Sequence, residues 1–289
     1  MHFGIAFANT ATFATPEGAA AIAEAAEQSG FDSLWTVEHV VVPKQYSSEY
    51  PYSPDGKMPG AEAFDLPDPL IWLAWVAART TTLRLATGIL ILPQRNPVVT
   101  AKEVATLDQL SGGRVLLGVG IGWLEEEFRI LGSDWETRVP RTEEYIEAMR
   151  CLWREELPTF HGETVSFTEA ISKPRPAAGS VPIVVGGHSP AAARRAGRIG
   201  DGYFPAKGEI GALIGEMRKS AELAGRDPDA IEVTWGGQDV LRGGEEALDE
   251  VGRLAEMGVG RLVIPPLSYN PSQLRDLLAA FGESVISRA

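Results

Sequence analysis

Residues 2–37 read HFGIAFANTATFATPEGAAAIAEAAEQSGFDSLWTV, and this stretch holds the fold in miniature. His2–Ala8 is a short apolar run of strand length. Thr15 stands where a helix N-cap belongs, Pro16 takes the first helical position, and a helical pattern runs from Pro16 to Gln28. Gly30 stops that helix, and after Phe31-Asp32 a second apolar run, Ser33–Val37, begins. The product is one strand–helix–strand unit with strands of the kind that are buried on both faces.

Outward from there the unit repeats. Strand-like runs at Leu83–Leu92, Arg114–Val119, Val181–Val185, Gly202–Phe204, Ile231–Trp235 and Arg261–Ile264 bring the total to eight. Helical patterns at Pro69–Arg79, Val98–Leu110, Leu124–Leu131, Arg141–Trp153, Pro190–Gly197, Glu209–Ala224, Glu245–Met257 and Ser272–Phe281 alternate with them. Glycine handovers at Ser111-Gly112-Gly113-Arg114 and Met257-Gly258-Val259-Gly260 mark helix C-caps leading into strands. Such alternation means an α/β fold, either a (β/α)8 TIM barrel or a doubly wound open sheet. The strand count favours the barrel, as does Phe7-Ala8-Asn9-Thr10, which lacks the glycines of a dinucleotide-binding turn. A single domain over residues 1–289 is expected, with insertions after strand 2 (Pro43–Pro67) and between strands 4 and 5 (Gly132–Ser180). The second insertion holds a hairpin-like stretch, Thr159–Phe167, around His161-Gly162-Glu163. The loops that follow barrel strands open onto the active face, so Pro43–Pro67 is expected to be a substrate lid.

Composition narrows the function. Lys and Arg number 26 against 39 Asp and Glu, a net charge of −13, which argues against nucleic acid as a partner. A small anionic ligand stays compatible, because a local pocket can hold it. The one cysteine, Cys151, excludes intrachain disulfides and multi-cysteine metal sites, and reads as a buried structural thiol. The four histidines, His2, His39, His161 and His188, form no His-x-His or His-Glu-x-x-His pattern, so no metal is expected. No apolar run approaches the roughly 18 residues of a membrane span, and no basic leader precedes the first strand. The expectation is a soluble, cytoplasmic protein with a small-molecule substrate and no membrane partner.

Several local patterns could carry chemistry. In Val184-Val185-Gly186-Gly187-His188-Ser189-Pro190 a strand ends in paired glycines and a helix begins at Ser189. This is either a phosphate cradle, with His188 and Ser189 as extra donors, or an ordinary turn needing positive φ. Glu38-His39 directly follows the second strand, where a histidine can exchange a proton with a bound ring or simply cap the structure. Gly88 lies inside the long third strand, and Gly118-Val119-Gly120-Ile121-Gly122 ends the fourth. Bare backbone at three barrel ends is what a flat, extended ligand across the mouth would use. Glu125-Glu126-Glu127 reads as a solvated first helical turn, Trp72 and Trp75 as core, and Arg194, Arg195 and Arg198 as helix-surface charges.

These motifs converge on a family. Leu92-Pro93-Gln94-Arg95-Asn96-Pro97, Lys102 through Arg114, Gly118 through Trp123 and Val185 through Ser189 together resemble the luciferase-like monooxygenase superfamily. More narrowly, they resemble its actinobacterial branch of probable F420-dependent oxidoreductases. The resemblance runs from the first strand to about Pro205 and fades in the last third. It implies a barrel that binds deazaflavin coenzyme F420, or alternatively FMN, at the carboxyl ends of the strands. A non-prolyl cis peptide in the third strand, matching Gly88-Ile89, would prop the ring, with Gly120 and Gly122 nearby. Gly186, Gly187, His188 and Ser189 would take the phosphate. His39 would be the acid/base nearest the ring, with Glu38 orienting it, although several deazaflavin enzymes have Asp at the Glu38 position. The sugar-phosphate dehydrogenases of the superfamily carry a catalytic glutamate where this chain has Trp123, which argues against their reaction. The activity implied is hydride transfer to or from an unidentified organic substrate. The alternatives are an FMN-dependent monooxygenase using oxygen and a separate reductase, and a degenerate flavin-binding barrel. The resemblance also implies a homodimer.

Overall fold

The computed structural model describes residues 1–60, 63 and 65–289. In chain order its main elements are β1 (His2–Ile5), α1 (Pro16–Gln28), β2 (Ser33–Thr36), α2 (Pro69–Ala77), β3 (Arg84–Thr87), β4 (Leu90–Ile91) and α3 (Pro97–Ser111). There follow β5 (Val115–Gly120), α4 (Glu125–Ile130), α5 (Arg138–Arg154), β6 (Phe160–His161), β7 (Ser166–Phe167), β8 (Ile183–Gly186) and α6 (Pro190–Ile199). The chain ends with β9 (Gly202–Phe204), α7 (Ile210–Leu223), β10 (Glu232–Gly236), α8 (Gly244–Glu256), β11 (Val259–Ile264) and α9 (Pro271–Ser284).

The helix boundaries follow from their caps. Thr15 accepts the Gly18 N–H at 3.1 Å ahead of α1. Asn96 accepts from Val98 and Val99 ahead of α3, and Ser189 from Ala192 ahead of α6. Each cap is followed by proline, which needs no N–H at the first helical position.

Parallel pairing runs β3-β2-β1-β11-β10-β9-β8-β5-β4, and β3 also pairs with β5, which closes the sheet into a (β/α)8 TIM barrel. Trp35, Ala86, Leu116, Val184 and Val263, with Ala6 and Phe204, fill its interior. Trp35 meets Phe204 edge-on at 5.2 Å. Alternate residues of the same strands, such as Leu34, Leu85, Leu117 and Ile183, face outward into the larger core beneath the helices. The second insertion carries the expected hairpin, with Phe160 opposite Phe167 across β6 and β7.

Two expectations change. The run Leu83–Leu92 is two short strands, β3 and β4, separated by the cis peptide Gly88-Ile89. The surrounding glycines make room for that interruption. A Cβ on Gly118 would lie 1.8 Å from the Thr87 carbonyl oxygen, and one on Gly120 would lie 1.8 Å from Ile89 Cδ1. A Cβ on Gly186 would come within 2.7 Å of Ile89 Cγ2. The space attributed to a flat ligand at these positions is therefore occupied by the Ile89 side chain and the β3 backbone.

Candidate active site

The carboxyl ends of the strands meet under the first insertion, Pro43–Pro67, of which Ala61, Glu62 and Phe64 lie outside the described residues. Asn9, fully buried after β1, accepts from the Val37 N–H at 2.9 Å and donates to the carbonyls of Val37 and Pro67. One amide thereby ties the end of β2 to the far end of the insertion.

Glu38 and His39, adjacent in sequence, go to different partners. The Glu38 side chain is 1% exposed and accepts from the Ile91 N–H at 2.5 Å and from Arg95 Nε at 2.9 Å. Arg95 bridges on to Asp68 at 2.7 Å. Burial pushes the Glu38 carboxyl above its ordinary value, against the pull of the Arg95 guanidinium and the Ile91 N–H. Asp68 caps α2 through Leu70 and Ile71.

His39 turns instead to Glu127, whose Oε2 lies 2.8 Å from His39 Nδ1. Glu127 is 0% exposed, and its Oε1 accepts from the N–H groups of Val40 at 2.6 Å and Val41 at 3.2 Å. Glu38 therefore does not orient His39; Glu127 does. The expectation of a solvated acidic turn also fails for Glu126, whose carboxylate accepts from the backbone and hydroxyls of Ser47 and Ser48 in the insertion. These hydrogen bonds outweigh partial desolvation and hold the Glu126 carboxyl down at about 2.

Trp123 lies just ahead of α4, outside the helix, and meets His39 edge-on at 5.5 Å. Tyr46 and Tyr50 of the insertion pack against the same indole, at 5.8 and 5.1 Å. Tyr50 meets Tyr52 at 5.3 Å, and Tyr52 meets His188 at 5.5 Å. A file of rings thus crosses the mouth from His39 to the β8–α6 turn. Lys207, after β9, donates to the Pro51 carbonyl and lies over the Tyr52 ring.

At that turn Gly187 has φ +125°, and a Cβ there would meet the Ala192 methyl at 2.8 Å, so the position needs glycine. The Ser189 hydroxyl is committed to capping α6. His188 Nδ1 is buried and has no hydrogen-bond partner among the described residues. Burial, with the nearby Lys207 charge, lowers the His188 imidazole below its ordinary value, so it is neutral at pH 7.

Comparison with known proteins shows the family. The luciferase-like monooxygenase family model matches residues 1–272, reaching well past Pro205, where the motif resemblance fades. The chain belongs to the luciferase-like monooxygenase family. As a member it is an enzyme, an oxidoreductase of luciferase-like fold. An uncharacterized protein of Mycobacterium tuberculosis is 30% identical, covering 100% of this chain and 98% of its own. An F420-dependent glucose-6-phosphate dehydrogenase of Kineococcus radiotolerans is 35% identical over 217 residues, 72% of this chain and 59% of its own. Among solved structures, an F420-dependent secondary alcohol dehydrogenase in complex with an F420–acetone adduct superposes with a TM-score of 0.78 at 20% identity, covering 100% of this chain and 99% of its own. A monooxygenase from Streptomyces bottropensis gives a TM-score of 0.75 at 24% identity, with the same coverage. These two structural likenesses bear on the luciferase-like fold alone.

Other family-member residues fall where sequence did not put them. Arg195, expected on the surface, is 6% exposed and pairs with Glu143 on α5 at 2.9 Å, which locks α6 to that helix. Trp72 is core, with its indole N–H donating to the Phe13 carbonyl at 2.8 Å, whereas Trp75 is only partly buried under Arg79. Cys151 is half-buried beside the Thr159 carbonyl. The residues that sequence reasoning missed are Glu127, Arg95, Asp68 and the insertion's tyrosines. Glu127 carried no local signal of its role, because the side chain it serves, His39, lies 88 residues away. No cluster of three or more acidic, histidine or cysteine side chains suited to a metal occurs among the described residues, and no described helix is long and apolar enough to cross a membrane.

Proposed function

We propose that this protein uses the deazaflavin coenzyme F420 to oxidise or reduce a small organic substrate beneath the Pro43–Pro67 lid. The observation that carries the reading is the His39–Glu127 pair: a histidine fixed at a barrel strand end by a fully buried carboxylate, with no protein partner on Nε2 among the described residues. The F420-dependent relative at 35% identity supports the deazaflavin over FMN.

The residues present suit such a group. His188 offers a buried Nδ1 without a partner, and Lys207 and the first turn of α6 supply positive potential beside it. Gly186, Gly187 and His188 would hold the phosphate, with Lys207 as the formal charge. Ser189 would act indirectly, by fixing the helix start. Gly88 and Ile89, with Gly120 and Gly122 packed around Ile89 and Ile91, would form the floor under the ring. When bound, the deazaflavin supplies two-electron hydride chemistry at its C5 carbon.

The chain's own part is to orient, to exclude water and to move a proton. His39 exchanges a proton with the substrate through Nε2, while Glu127 stabilises the imidazolium that forms. The ring file of Trp123, Tyr46, Tyr50 and Tyr52 covers the mouth and lowers its polarity, which strengthens each hydrogen bond beneath it. Trp123 puts bulk where the sugar-phosphate enzymes resembled by this chain have an acid, so a sugar phosphate is not the proposed substrate. A homodimer belongs to the same reading, and sedimentation velocity checks it.

Titrating the protein with F420 and, separately, with FMN while following fluorescence quenching tests the reading. F420 is expected to saturate. Tight FMN binding without F420 binding would replace this proposal with the oxygen-using monooxygenase.

A further inference from the structure

We infer that Glu127 is a positioning residue that sets the tautomer of His39, holding the proton on Nδ1 and leaving Nε2 bare. The argument is one of donor counting. A buried carboxylate has only acceptor sites to offer. Glu127 Oε1 is taken by the Val40 and Val41 N–H groups, at 2.6 and 3.2 Å, so Oε2 faces His39 Nδ1 at 2.8 Å. A neutral imidazole satisfies Oε2 only by presenting Nδ1–H, and its lone pair then falls on Nε2. The other tautomer would set two lone pairs against each other in a site with no water access at Glu127, which is 0% exposed.

The same carboxylate holds the two backbone groups that lead into the lid, so the tautomer and the lid's root share one anchor. This ties the availability of Nε2 as a proton acceptor to an ordered Val40–Val41 segment. Trp123, edge-on to the imidazole, restricts its rotation about the remaining axis.

Glu127→Gln makes the inference testable, because an amide cannot accept at both ends. The two Val N–H donors select the amide oxygen, which leaves the amide NH2 pointing at His39 Nδ1. Nδ1 must then accept, and the proton moves to Nε2. Replacing a carboxylate beside a histidine by its amide in this way preserves geometry and presents the wrong tautomer.

The inference rests on the proposed role of His39 for its meaning, but its test needs no cofactor. Two-bond proton–nitrogen NMR correlation on the nitrogen-15-labelled protein at alkaline pH, where imidazoles are neutral, distinguishes the tautomers. Only four histidines contribute, and His39→Asn identifies the His39 signals by their loss. The expected result is a pyrrole-type Nδ1 and a pyridine-type Nε2 in the native chain, exchanged in Glu127→Gln. A native Nε2–H tautomer overturns the inference, as does a Glu127→Gln variant with the native pattern. If Glu127→Gln does not fold, the native measurement decides by itself. Failure of F420 to bind would leave these signals untouched, so the two ideas fall separately.

Discussion

The two ends of the barrel both bury charge, and they close it differently. At the amino ends of the strands, Arg261 is 2% exposed; it donates to both Asp32 oxygens and to Ser33, and its second nitrogen reaches Glu232 at 3.0 Å. Ser33 in turn accepts from the Trp35 indole at 2.9 Å. The two carboxylates are shared by one guanidinium, and the plug seals the barrel. At the carboxyl ends, Glu38–Arg95–Asp68 forms a comparable chain, but beside it the His39–Glu127 pair has a ring nitrogen without a protein partner among the described residues. The lesson is that buried charge alone does not locate a site. What separates the ends is place and use. The amino-end groups, apart from the buried Arg261 Nε, are engaged within the protein. At the carboxyl ends, where barrel loops open, His39 holds one ring nitrogen without a protein partner among the described residues.

The largest effect should come from breaking the closed end. Arg261→Ala leaves Asp32 and Glu232 facing each other without their cation and opens a cavity at the base of the barrel. The expected loss is about 4 kcal/mol of unfolding free energy, read by denaturant titration, with F420 affinity in the surviving folded protein unchanged. If Arg261→Ala weakened binding as strongly as a mouth variant does, the division between the ends would collapse.

Arg95→Ala should come next, at about 3 kcal/mol near neutral pH, because it strands the Glu38 carboxylate in an apolar site. The pH dependence sharpens the comparison. Burial already raises the Glu38 carboxyl, so it contributes most to stability below its ordinary range and loses that contribution as pH rises through its folded value. Without Arg95 that folded value rises further. The gap between Arg95→Ala and the native protein should therefore be widest at neutral pH and narrow as acid protonates Glu38 and Asp68. A gap that stayed constant from neutral to acidic pH would mean that Arg95 acts by packing and not by charge.

How far sequence carries the reader differs between the ends in the same way. The barrel was legible because each of its units is local: the Thr15, Asn96 and Ser189 caps, the prolines behind them and the glycine handovers act within a few residues. Within the site, His39 and Gly187 stand out for equally local reasons, whereas the cis peptide at Gly88-Ile89 was implied by the family resemblance alone. What could not be read were pairings across long separations, such as Glu38 with Arg95 at 57 residues and His39 with Glu127 at 88. Adjacency misled at Glu38-His39, since neighbours leaving a strand project to opposite sides. At Gly118, Gly120 and Gly186 composition did not show a second demand, that the missing side chains accommodate the interrupted third strand.

The smallest expected effect lies where the lid meets the open end. Glu126 holds Ser47 and Ser48 through its carboxylate, and its lowered value of about 2 means this hold is present above the ordinary carboxylate range and fades as pH falls toward 2. At neutral pH this contact between Glu126 and the insertion is therefore at full strength. Glu126→Gln removes the charge and half of the accepting capacity, at a partly exposed position where solvent competes. About 1 kcal/mol of local opening should result, a roughly five-fold faster proteolytic cleavage within residues 43–67, with little change in global unfolding. Lowering the pH toward 3 should bring the native cleavage rate closer to that of the variant, because protonation does to Glu126 what the substitution does. Identical cleavage rates at neutral pH would show that Lys207 and the tyrosine file hold the lid without Glu126, and would confine the role of the α4 start to the neighbouring Glu127.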